Sequence, residues 1–127
     1  MRGAFVLALV LLAPVAADAE EKIDCKNTTI QPEMNACAED AYQKADATLN
    51  KLYAGIIKGL DAGDAGRLRA AERAWVEFRD AECLYRVGGE DAMGIGASMG
   101  PMIYAKCQEE FTKERIDQLK DDASGPQ

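Results

Sequence analysis

Four cysteines and no histidine set the chemistry open to this 127-residue chain. Cys25, Cys37, Cys83 and Cys107 form an even set, which in an oxidising compartment reads as two disulfides. Paired cysteines leave no thiolate for nucleophilic or metal chemistry. Without histidine, His-based triads and the usual His-containing zinc sites fall away too. Carboxylates remain, but glycoside hydrolysis needs two acids facing each other across a cleft, and the thin helical bundle read below offers none. The residues therefore describe a non-enzyme with no cofactor and no metal, whose work is contact with a partner.

The start of the chain says where that contact takes place. Arg2 opens a short basic region, Ala4 to Val15 is apolar, and Ala17-Asp18-Ala19 supplies a small-residue cleavage site. This is the pattern of a signal peptide over 1–19, cut near Ala19-Glu20, and its apolar run is too short to span a bilayer. A single domain over 20–121 and a disordered tail over 122–127 are expected to follow. Lys22-Ile23-Asp24 before Cys25 lacks the small, apolar residues of a lipid-attachment site. The mature protein thus reads as unanchored and as periplasmic or secreted, in a bacterium. Asn27-Thr28-Thr29 fits a glycosylation sequon, which matters only in a eukaryotic secretory route.

The formal charge is −7. An acidic chain lacks the basic footprint that nucleic acid or an anionic membrane requires. It suits a basic protein partner, because opposite net charge steers encounter.

The elements that position these residues are helices. After a polar lead-in, Pro32 fits a first helical turn, with Thr29 or Gln31 as its cap. Met34, Ala38, Ala41, Tyr42, Ala45, Leu49, Leu52, Tyr53, Ile56 and Leu60 then recur at three- and four-residue steps, the mark of an amphipathic helix. Asp61-Ala62-Gly63-Asp64-Ala65-Gly66, with two aspartates and two glycines in six residues, reads as the turn and offers a new cap. Leu68, Ala71, Trp75, Phe78, Ala81, Glu82 and Tyr85 mark a second helix. A third is expected from about Met102 to Lys120, with Tyr104, Cys107, Phe111, Arg115 and Leu119 along one side. The fold class is all-α, an antiparallel bundle of three main helices.

Two groups of side chains stand out on this frame. Tyr42, Trp75 and Phe78 read as core aromatics. Arg79 and Asp80 read as a partly buried ion-pair network with Asp46 on the first helix, the alternative being that Asp80 and Glu82 face outward toward a basic partner. The glycine-rich loop over 88–101 is the preferred contact surface, through Glu90, Asp91, Met93, Ile95, Ser98 and Met99, with Tyr104 just beyond it. Its other reading is an irregular connection whose apolar residues cap the bundle end.

Four cysteines allow three pairings. If the second and third helices are antiparallel about the glycine loop, Cys83 and Cys107 fall at similar heights, and Cys25 then folds back onto Cys37. Cys37 with Cys83 is also feasible across the first hairpin. The pairing Cys25–Cys37 with Cys83–Cys107 is favoured.

These residues resemble the LprI-like lysozyme inhibitor domain. Cys25, Gln31-Pro32-Glu33-Met34-Asn35-Ala36-Cys37-Ala38, Tyr42, Ala45-Asp46, Leu49-Asn50 and Tyr53 are similar to its first half. Leu68 to Cys83 is similar to its second, above all in the Trp-x-x-Phe-Arg-Asp-x-x-Cys stretch from Trp75 to Cys83. Gly88-Gly89, Met102-Ile103-Tyr104, Cys107, Thr112, Arg115 and Leu119 also fit. The resemblance implies inhibition of lysozyme, or of another basic wall-degrading hydrolase, by occlusion. Lysozymes carry an acidic catalytic pair in a sugar-binding groove, and a loop entering that groove would set Ser98 or a backbone N–H against those carboxylates. Two other functions fit the same physics: an immunity-type protein against a wall-degrading toxin, and an envelope structural or stress factor with no enzyme target.

Overall fold

The computed structural model describes residues 22–94 and 98–124. The leader expected over 1–19 and the contact residue Ile95 lie outside the described residues. Helix α1 spans Gln31–Gly59, α2 spans Ala62–Val87 and α3 spans Gly100–Ser124, with a short 3-10 turn at Glu90–Met93. Among the described residues there is no strand.

The boundaries follow from local chemistry. Neither Thr29 nor Gln31 caps α1; its N-cap is Ile30, whose side chain caps nothing. Thr28 stands in from outside the helix: its hydroxyl accepts from the Ile30 N–H at 3.2 Å and donates to the Glu33 carboxylate. Asp61 caps α2, accepting from the N–H groups of Gly63 at 2.7 Å and Asp64 at 2.9 Å. Those bonds correct the expected turn over Asp61 to Gly66. The glycines read as breakers, yet with both donors satisfied the helix starts directly after Asp61, and the real turn is Leu60-Asp61. Gly88 ends α2 at φ 97°, a left-handed conformation in which a side chain is strained. Its N–H donates to the Tyr85 carbonyl, and that of Gly89 to the Leu84 carbonyl, a Schellman closure. Helix α3 begins two residues before the expected Met102 and runs on to Ser124, three residues into the stretch expected to be a disordered tail. Pro101 in its first turn loses no hydrogen bond there.

The chain runs up, down and up. The neighbours in sequence are antiparallel, but the closest packing is between α1 and α3, which run parallel. At their starts Gln31 meets Met102, and further along Leu49 packs with Ile116 and Leu119. Leu52, Tyr53, Ile56, Leu68 and Trp75 surround that cluster. The approach is close because α1 and α3 bury Ala38, Ala45 and Ala105. The apolar core therefore sits in the half of the bundle nearest the α1–α2 turn.

Both favoured disulfides are present. Cys25–Cys37 ties the lead-in to α1, and Cys83–Cys107 ties α2 to α3.

Candidate partner-binding site

The other half of the bundle is organised by one arginine. Arg79 is only 4% exposed. Its Nε donates to Asp80 Oδ1 at 2.8 Å, and its Nη1 donates to Asp46 Oδ1 at 3.4 Å and Thr112 Oγ1 at 3.3 Å. Gln108 Nε2 donates to the same Asp80 oxygen at 2.9 Å. The guanidinium lies between the rings of Tyr42 and Trp75, 5.3 and 5.1 Å from their centroids. One side chain is thus held by groups from all three helices. Burial works against its charge, but the hydrogen bond it donates to Asp80 and the negative groups around it outweigh burial and raise its pKa. Burial likewise raises the Tyr42 and Tyr104 hydroxyls, with Arg79 pulling the other way at both. Among the described residues no buried side-chain nitrogen or oxygen lacks a hydrogen-bond partner, so this layer fixes how the helices dock. A second pair, Arg115 with Glu72 at 2.9 Å, does the same for α2 and α3 one layer further along.

Tyr42, Asp46, Trp75, Arg79 and Asp80 are therefore brought together, while Phe78 is not with them. It is 55% exposed rather than a core aromatic, because the inward position next to it is taken by Arg79. Two members of the layer were absent from the expected set, Gln108 and the fully buried Thr112. Their signal was available: two polar residues four apart on the stripe that also carries Ala105, Ile116 and Leu119.

Above this layer the loop is built from its own bonds. Ser98 Oγ donates to the Ala92 carbonyl at 3.0 Å and accepts from the Gly100 N–H at 3.1 Å. Asn35 on α1 donates to the Ser98 carbonyl at 3.0 Å, and Gln31 supports Asn35 at 2.8 Å. Gly100 is buried under the loop; a Cβ there would lie 1.8 Å from the Ala92 carbonyl oxygen. The Ser98 hydroxyl thus points into the loop's own hydrogen bonds. Met93 and Tyr104 are partly buried, while Glu90, Asp91 and Met99 are exposed, giving a small acidic and apolar end.

Other surfaces are shallow. Open depressions between α1 and α3, on the side lined by Lys44, Thr48, Lys51, Lys113 and Lys120, have an apolar floor at Ile116. Among the described residues no group of three or more Cys, Asp or Glu side chains is placed to hold a metal ion. No helix among them is long and apolar enough to cross a membrane. The arrangement is suited to presenting a rigid surface.

Curated relatives are similar to this chain over most of its length. An uncharacterized protein of Rhizobium meliloti is 35% identical over 129 residues, covering 91% of this chain and 90% of that one. The uncharacterized protein YecT of Escherichia coli is 27% identical over 113 residues, covering 76% of this chain and 70% of its own. No solved structure matches the chain. Residues 24–119, from the residue before the first cysteine to the buried Leu119, match the family described as Lysozyme inhibitor LprI. That span holds both disulfides and the whole arginine layer, and the chain belongs to this family.

Proposed function

We propose that this protein is an extracytoplasmic inhibitor of lysozyme or a related peptidoglycan hydrolase, which it binds and occludes without turnover. The family is one of inhibitors rather than catalysts, and two disulfides fit an oxidising compartment. The observation that carries the reading is the loop between α2 and α3. Its two flanks are crosslinked by Cys83–Cys107, its interior is bonded through Ser98, and it leaves Glu90, Asp91 and Met99 in solvent. Contact residues held in place before binding lose little entropy on association. The loop's two carboxylates and the net charge of −7 complement a basic enzyme.

Clearing of a cell-wall suspension by several lysozyme classes, with and without the oxidised protein, tests this. Stoichiometric inhibition that weakens with salt is expected. Replacing Met93 to Met99 with a Gly-Ser linker is expected to abolish it. Full clearing by every class in the presence of the protein would end the proposal.

A further inference from the structure

The two most exposed aromatic side chains among the described residues lie on one side of α2. Phe78 and Tyr85 are seven residues apart, hence on the same helix face, and are 55% and 79% exposed. Packing gives no reason for a tyrosine to stand so far into water. Phe78 meets Phe111 of α3 edge-on, with ring centroids 5.7 Å apart. The Arg86 guanidinium lies 4.8 Å from the centre of the Phe111 ring and is held there by Glu82 at 3.0 Å. Phe78, Glu82 and Arg86 follow one another at four-residue steps, so they form a row along α2. The row is rigid, because Cys83–Cys107 fastens its helix to that of Phe111.

Aromatic and arginine side chains on a rigid, partly apolar surface are the composition of binding hot spots. Charge identifies the partner. Arg86 is already paired with Glu82, while Glu110 and Glu114 are exposed beside Phe111 on α3. The net acidic rim complements a basic protein. In a symmetric dimer of this chain the same rim would face itself, which opposes a second copy as occupant. Tyr85 lies two residues before the end of α2, and Gly88 and Gly89 join that end to the exposed Glu90 and Asp91.

We propose that the α2–α3 face bearing Phe78, Tyr85, Arg86 and Phe111 is the main docking surface for a basic wall-degrading hydrolase, with Glu90 and Asp91 at its outer edge. This rests on the inhibitor reading above and adds the surface to it. The test is calorimetric titration of the oxidised protein against purified c-type, g-type and bacterial lysozymes. Phe78→Ala, Tyr85→Ala and the control Val76→Ala, on the opposite side of α2, are measured beside it. Thermal melts and sedimentation of each protein accompany the titrations. Phe78→Ala and Tyr85→Ala are each expected to weaken binding at least tenfold with little change in melting, while Val76→Ala binds normally. Normal binding by both aromatic variants would overturn this face and leave the inhibitor reading standing. No binding by the unaltered protein would overturn both. Self-association that Phe78→Ala abolishes, with lysozyme binding unchanged, would overturn the face by assigning it to a second copy.

Discussion

The two disulfides have the same covalent geometry and opposite surroundings. Both span Cα atoms 5.6 Å apart. Cys83 and Cys107 are buried between two helices, next to the arginine layer. Cys25 is exposed on a lead-in whose other contacts are a short turn and a capping threonine. Their sequence separations are 12 and 24 residues, and a doubling of loop length changes closure entropy by only about 0.6 kcal/mol. Chain entropy alone makes them nearly equal. The native state makes them differ. Where the segment stays ordered without the bond, the bond restrains only the unfolded chain. Where the segment would come loose, the bond restrains both states and its net effect shrinks. A crosslink's contribution is therefore set by what else holds its two ends.

The largest effect expected is from Cys83→Ala with Cys107→Ala: about 4 kcal/mol lost in denaturant unfolding, from the crosslink and the packing of its buried sulfurs. Next is Arg79→Ala, at about 3 kcal/mol, because it strands Asp46 and Asp80 and removes the centre of the layer. That variant also sharpens the comparison: if α2 and α3 stay docked through the disulfide alone, the loss in unfolding free energy will fall well below this figure. Gly100→Ala should cost about 2 kcal/mol, since the Ala92 carbonyl must move to admit a Cβ. Amide exchange in the loop should rise with it. Cys25→Ser with Cys37→Ser should cost only about 1 kcal/mol. A cost equal to that of the buried pair would break the argument from native-state order.

The smallest effect is in acid. Asp24 lies next to Cys25, and its carboxyl is held below the usual range by the Asn27 amide and the Lys26 N–H. Stability from a depressed carboxyl is present above the unfolded-state value, about 3.9, and is lost as pH falls through the folded one. Reduction by a phosphine should therefore speed up at Cys25–Cys37 in that window and not at Cys83–Cys107. Asp24→Ala should remove the difference, as read by alkylation and mass mapping.

Much of this was legible in the residues. Helix geometry about the glycine loop favoured the observed pairs over Cys37 with Cys83, and apolar steps of three and four located the helices. Where reading went astray, a short-range bond outweighed composition. Asp61 turned a glycine-rich stretch into a helical first turn. Phe78 shares the spacing of Trp75, but the inward position beside it belongs to Arg79, a residue type rarely so buried without partners. Its carboxylate partners Asp46 and Asp80 were legible, but Thr112, which accepts from it, and Gln108, which holds Asp80, come from a helix more than 25 residues away; their shared stripe marks them as inward-facing without saying what they meet. Parallel packing of α1 on α3 was equally hidden, because alternation of direction fixes which helices are antiparallel and not which two approach most closely.

The order of the crosslinks bears on how the chain is made. First joins second and third joins fourth, so neither bridge encloses or interleaves the other. For a chain delivered N-terminus first into an oxidising compartment, Cys25 meets Cys37 before Cys83 has arrived. The first bond available is then the native one, and the mispairing of Cys37 with Cys83 is avoided by timing. Consecutive pairing of this kind leaves little for a disulfide isomerase to correct, even though the two most closely packed helices, α1 and α3, are not neighbours in sequence.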